Sequence, residues 1–408
     1  MLNADVPASM DPRPSSRRMA SLPMGAFLTA LVGLGALSID TFLPSLPAMM
    51  AELRSGAATA QLTVTLFLAA FATAQLLFGP LSDRTGRRGA LVGGLCLFVG
   101  GAAASLFARS MPALVAARVV QGLGAGSGPV LARAVVRDVW PPQRAARVLS
   151  LMAIAQALTP ILAPILGGFM QAHFGWRSVF LLVAALGAGF LIVAALAVEE
   201  TAPGRGGGAK RDGPTLGGGV AALARDRAYV GFVLAVMLAF AGQFAFISGS
   251  AFVFMGLFGF SPRAYGFAFA LVAFGLMTGS FLSVHHGARL GPEQMIRRGA
   301  ALSAGAGLAM ALPVAFGHAS AVGILVPMYL FAVGAGVVMP NGMAGAIAPF
   351  AHMAGLASAV LGFAQMTGAA AYSVGVSRFL DGTARPMTFA IAASGLAYFA
   401  SALLLRRR

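Results

Sequence analysis

The sequence predicts an all-α membrane protein of twelve transmembrane helices, arranged as two pseudo-symmetric six-helix bundles. Three observations carry that prediction. The chain of 408 residues is 58% hydrophobic and only 10% charged, whereas a soluble protein of this length needs far more polar surface. The apolar residues gather in twelve runs of about 20, each long enough to cross a bilayer as a helix. The charges lie in short clusters between those runs.

Residues 1–21 form a tail expected in the cytoplasm. The stretch "SSRRMASLPMGAFLTALVGLGAL" carries a twin arginine ahead of an apolar core, which is also the pattern of an export signal. Further apolar runs follow and no clear cleavage site appears, so it reads as a tail and a first span. The first six runs lie near 22–50, 60–80, 89–108, 112–134, 147–170 and 177–197 and define a bundle over 22–198. Then "EETAPGRGGGAKRDGPTLGGG", residues 199 to 219, rich in glycine and charge, opens a flexible cytoplasmic linker over 199–226. Runs near 228–256, 264–284, 299–317, 320–341, 355–377 and 386–405 make the second bundle, 227–408.

The formal charge of +16 is explained by topology rather than by a nucleic-acid surface, because the basic residues do not line one face of a domain. Of 28 lysines and arginines, 21 fall in segments on the side of the N-terminus, including Arg133, Arg137, Arg144 and Arg147 together. Six fall on the opposite side, and Arg118 alone lies within a span. Basic residues favour the cytoplasm, so both termini are expected there. The halves echo each other under a shift of 210 residues, which lays "RRG" at 87–89 on "RRG" at 297–299 and Asp83 on Glu293. Internal repeats of this kind are a transporter's architecture.

Charge inside a membrane is costly and therefore informative. Asp40, in "ALSIDTFLPSLP", is the one acid clearly within a span. Either the first span ends there with a solvated carboxylate, or the carboxylate faces a central cavity where it can load and release a proton. Pro44 and Pro47 remove two backbone donors and bend the chain beside it. Arg118, in "RVVQGLGAGSG", needs an acceptor within the bundle: Asp40, or carbonyls freed by the proline bend. It is otherwise a packing anchor. The shift of 210 sets Ser250 and Met328 at the equivalent places, so the charged groups belong to the first half. The glycines after Arg118 lack G-x-G-x-x-G spacing and read as close helix packing. In "GPLSDRTGRRG", residues 79 to 89, Gly79 and Gly86 suit a tight turn. Asp83 among Arg84, Arg87 and Arg88 predicts an ion-pair network. Gln61, Gln156, Gln243, Tyr329 and Gln365 are polar positions in or near spans, candidates to line a substrate cavity.

Other classes find little support. No G-x-x-x-x-G-K-[ST] loop occurs, and the one lysine, Lys210, is followed by arginine. One cysteine, Cys96, excludes an intrachain disulfide and a multi-cysteine metal site; its apolar run suggests plain packing. No metal site, cofactor, catalytic pairing or ATP motor is expected, and the chain does not read as an enzyme.

"GPLSDRTGRRG" resembles the signature loop of the major facilitator superfamily, and "RVVQG" resembles its fourth-helix motif. "TPILAPILGGF", residues 159 to 169, is similar to the antiporter motif of the fifth helix, with Ala163-Pro164 where Gly-Pro is usual. "DTFLPSLP", "QLTVTLFLAAFATAQLLFGPLSDR" and "FISGSAFVFMGLFGFSP" are similar to the bicyclomycin/chloramphenicol-resistance branch. The resemblance implies a functional monomer in a bacterial inner membrane, exporting small amphipathic drugs by alternating access in exchange for protons. Its energy source is then the proton gradient. By position, Asp40 becomes the proton-responsive acid and Arg118 its partner or relay. Asp83 becomes a latch facing the eleventh helix near Gly355, and Pro160, Pro164, Gly167 and Gly168 shape the fifth helix where the halves meet. Related exporters can carry a second acid in the first span; none lies between Met19 and Asp40, which favours one proton over two. Proton-linked or facilitated movement of one natural metabolite, in either direction, is the alternative. The scarcity of acids within the spans favours neutral or zwitterionic compounds.

Overall fold

A computed structural model describes Met19 and residues 21–201, 216–379 and 381–404. No strand occurs among them, and twelve helices are long and apolar enough to span a membrane. In order they are Leu22–Glu52, Ala57–Thr85, Arg87–Leu106, Met111–Val139, Gln143–Phe174 and Trp176–Ala197, then Arg227–Leu257, Pro262–Gly287, Arg289–Ala315, Ala321–Phe350, Leu356–Arg378 and Arg385–Leu403. Large apolar side chains such as Leu77, Leu162, Leu196, Phe281 and Val284 stay exposed on their outer faces. In a protein of this hydropathy that belt is lipid-facing. The face carrying residues 79–89 is called the tail face below, and the opposite one the far face.

The first span is interrupted where its prolines require it. Regular α-helix runs Leu22–Asp40 and stops, because Pro44 has no N–H to give the Asp40 carbonyl. A 3-10 turn at Leu43–Ser45 and a short helix Leu46–Glu52 complete the crossing. The seventh span repeats the device without proline: α-helix to Ala251, then a π-helix over Phe252–Leu257. Asp40 and Ser250 therefore both sit at the end of a regular helix, as the shift of 210 places them.

The same shift fails in the tail-face loops. Gly86, φ +97°, turns the chain between the second and third spans, and Gly291, φ +72°, turns it between the eighth and ninth. These hinges are 205 positions apart, so Asp83 precedes its turn while Glu293 follows its own. Arg297 and Arg298 lie inside the ninth span. The shared "RRG" is thus not a match of equivalent positions. Gly79 is a further correction: it lies within the helix Ala57–Thr85, and Gly86 alone makes the turn.

Glycines set the fourth span close to its neighbour. A Cβ on Gly122 or on Gly126 would lie 2.5 Å from the carbonyl oxygen of Phe67 or Phe71 in the second span. Small residues let membrane helices approach this way, so that dispersion and polar contacts hold them. The linker is more than a spacer. Residues 202–215 lie outside the described residues, but Leu216–Arg225 is a helix with Leu223 fully buried. Cys96 is exposed on the third span rather than packed inside.

Candidate functional site: a cavity with one carboxylate, closed at the far face

A cavity of about 270 Å³ lies between the halves, and Asp40 is part of its wall. Asp40 is 5% exposed, which decides against a solvated helix end. From the first half come Val32, Ala36, Ile39, Leu68, Phe71, Gln156 and Pro160. The second half adds Gln243, four phenylalanines (Phe240, Phe244, Phe246, Phe269), Met339 and Met366. Apolar walls with a few convergent polar groups suit a small amphipathic ligand. Among the candidate cavity residues, Gln156 and Gln243 line it. Tyr329 instead meets Thr278, hydroxyl to hydroxyl at 3.3 Å, and Gln365 is half-buried on the eleventh span away from the wall. Gln61 is buried at the far face.

That far face is closed. Ser373 of the eleventh span accepts from Gln61 Nε2 at 3.3 Å and from Ser248 at 2.9 Å, and exchanges a hydrogen bond with Thr65 at 2.7 Å. His173 and Arg263 meet nearby. Among the described residues, the hydrogen bonds joining the two halves are those of Gln61 and Thr65 to Ser373 and of His173 to Arg263, all at the far face. The glycines of "TPILAPILGGF" let backbones touch here. A Cβ on Gly167 would come within 2.9 Å of Thr41 Cα, beside Asp40; one on Gly168 would lie 3.0 Å from the Pro262 carbonyl carbon. Gly266 stands equally close to Pro164, 3.0 Å from its carbonyl carbon, while Pro160 faces the cavity.

Ser373→Ala tests this seal. It removes a hub of three hydrogen bonds, each worth about 0.5–1.5 kcal/mol net. In a cysteine-free background, a probe cysteine at Leu68 should then react severalfold faster with a reagent confined to the far face.

Arg118 is fully buried but does not pair with Asp40. Its guanidinium lies between the rings of Phe42 and Phe67, 4.4 and 4.1 Å from their centroids. Nη1 donates to Gln121 Oε1 at 2.6 Å and Nε to the Thr63 carbonyl at 3.4 Å. Neither Asp40 nor a carbonyl freed by the proline turn is its acceptor; Gln121 is, one helical turn away on the same face. The two charges are linked through the chain, since Phe42 follows Asp40 by two residues. The Tyr265 hydroxyl of the eighth span meets Ser250, the counterpart of Asp40 under the shift of 210, at 2.9 Å.

At the tail face, Arg87 ties the loop together. Its guanidinium donates to Asp83 at 2.6 Å, to Ser82 at 2.6 Å and to Asp138 of the fourth span at 3.0 Å. Arg88 donates to the Ala195 carbonyl at 2.6 Å, an acceptor left over at the end of the sixth span. The Arg87 and Arg88 amides, orphan donors at the start of the third span, point to the Glu200 carboxylate at 2.7 and 3.4 Å. Arg84 is exposed, and the Asp83 side chain is 60% exposed. The Asp83 carboxylate accepts from Arg87, and no hydrogen bond joins it to the eleventh helix among the described residues.

Sequence reasoning missed three participants. Glu200 was hidden in a linker, and Ser373 is an ordinary serine until its neighbours are known. Arg133, counted among loop cations, instead sits within the fourth span and donates to Gln156 Oε1 at 3.2 Å.

The comparisons with known proteins agree with this architecture. A family model described as Major Facilitator Superfamily matches residues 26–376. The uncharacterized MFS-type transporter YdgK of Bacillus subtilis (strain 168) is 32% identical over 336 residues, covering 80% of this chain and 82% of that protein. Multidrug resistance protein MdtL of Escherichia coli O81 (strain ED1a) is 32% identical over 323 residues, covering 79% and 80%. The crystal structure of a D-xylose-proton symporter superposes with a TM-score of 0.72 at 18% identity, over 95% of this chain and 98% of that one, a likeness of fold.

Proposed function

Because this chain belongs to the Major Facilitator Superfamily, and is therefore a multi-pass membrane transporter, we propose that it is a proton-coupled antiporter exporting small amphipathic drugs. It works as a monomer in a bacterial inner membrane with both termini in the cytoplasm, and the proton gradient is its energy source. The observation that carries this reading is the cavity: one carboxylate, two glutamines and a cluster of phenylalanines, shut off from the far face by hydrogen bonds between the halves. The name of MdtL, a multidrug resistance protein at 32% identity, favours drugs as cargo.

In this reading the structure is the cytoplasm-open state. A substrate enters from the tail face and packs on the aromatic wall, while Asp40 gives up its proton to the cytoplasm. The halves then rock: the Ser373 bonds break, and Asp83 and Arg87 rearrange as the tail face closes. After release outside, a proton taken up on Asp40 allows return. The exchange needs nothing but the two gradients.

Reconstituted protein tests it. With an imposed pH difference and clamped voltage, a fluorescent amphipathic substrate should move against its gradient in liposomes, and a protonophore should stop it. Flux indifferent to the pH difference would remove proton coupling. A susceptibility and uptake panel in a pump-deleted host separates drugs from a single natural metabolite.

A further inference from the structure

We propose that Arg133 is a specificity-determining residue, a receptor at the tail-face end of the cavity for a carboxylate or other strong acceptor on the substrate. The inference rests on the transport reading and adds a substrate class to it: aromatic anions and zwitterions in preference to simple cations.

Arg133 lies six residues before the end of the fourth span, within the helix rather than in the loop. It is exposed, and its one hydrogen bond goes to Gln156 Oε1 at 3.2 Å, on a glutamine that lines the cavity with Asp40. The remaining N–H groups of its guanidinium have no protein acceptor among the described residues. Arg137 follows one turn later, and its hydrogen bond goes to the Arg133 carbonyl rather than to an acid. The acid next to it, Asp138, is taken by Arg87. Like charges at i, i+4 repel. Arg87 and Arg88, at the same face, meet two carboxylates and a carbonyl, whereas Arg133 reaches a glutamine of the cavity wall. At Arg133 no acid among the described residues supplies the compensating charge.

A basic residue that only marks topology gains nothing by reaching a cavity glutamine. Gln156 holds the guanidinium by one nitrogen and leaves the rest of the fork free for two parallel bonds to a carboxylate. Asp40 on the wall, and Arg133 joined to the wall through Gln156, set an acid and a base on the same cavity. The phenylalanines of that wall suit an aromatic body, and a fixed guanidinium beside it disfavours a simple cation.

Equilibrium binding without any gradient tests this independently of proton coupling. The protein, in phosphatidylcholine nanodiscs at pH 7.5, is titrated with 2-naphthoate, 2-naphthamide and 2-naphthylmethylammonium. Wild type is expected to bind naphthoate more tightly than the ammonium compound. Arg133→Gln should weaken naphthoate about tenfold, the scale of one charge-assisted fork, and leave naphthamide within about twofold. Arg133→Lys should fall between. Tighter binding of the ammonium compound by wild type, no binding of naphthoate, or an equal change of all three probes in Arg133→Gln overturns the proposal. Should Arg133→Gln fail to fold, seen as aggregation on size exclusion, the wild-type order and Arg133→Lys decide. Gradient-driven flux failing while the binding order holds would sink antiport and leave this site standing.

Discussion

Asp40→Asn is expected to reduce accumulation driven by a pH gradient to the level of liposomes without protein. A pH difference of one unit supplies about 1.4 kcal/mol per proton, enough for about a tenfold gradient of a neutral substrate at one proton per cycle. Asparagine keeps the shape of the carboxylate but cannot carry a proton, so the substrate gradient has nothing to be coupled to. The geometry gives this variant its force. Asp40 lies on the cavity wall, 5% exposed, with no ion-pair partner among the described residues. Substrate binding, by contrast, should survive, since the phenylalanine wall is untouched. The wild-type slope is equally informative: about tenfold per pH unit means one proton, and about a hundredfold means two. Undiminished accumulation by Asp40→Asn would remove the proposed mechanism.

The second large effect is expected at Arg118, where charge and packing can be separated. Arg118→Met retains much of the volume between Phe42 and Phe67 and removes a buried charge, a type of change that is often neutral or stabilising. Gln121 loses its donor, at about 1–3 kcal/mol, so the net change in stability should be small. Arg118→Ala leaves a cavity among the aromatic rings and should cost about 2–5 kcal/mol, visible as a lower unfolding temperature in detergent. If Arg118 serves coupling, the methionine variant folds and accumulates no substrate. Wild-type accumulation by Arg118→Met would leave it a packing anchor.

Of the candidate site, the sequence marked the residues but not their partners. Asp40 and Arg118 stand out because charge in lipid is costly wherever it lies, and no folding is needed to notice it. Their simplest pairing, acid to base, is not the one found, because Phe42 and Phe67 hold the guanidinium and Gln121 supplies the oxygen. The loop at 79–89 was readable as an ion-pair network, yet Asp138 and Glu200 join it from 51 and 113 positions away. The apparent repeat at "RRG" shows the opposite error: identical letters lie at different distances from their turns, and the acids aligned with them, Asp83 and Glu293, fall on opposite sides.

The sequence by itself determined the solvent, the number of crossings and the positions where regular helix must stop. Those follow from local properties: hydrophobic length, the missing N–H of Pro44 and the positive φ that Gly86 tolerates. Only the tertiary structure decided which side of the cavity is shut and which polar groups face it. Ser373, Gln156 and Arg133 have chemistry too common to read in one dimension. They matter because helices distant in sequence bring them within hydrogen-bond reach of Thr65, of Gln61 and of each other.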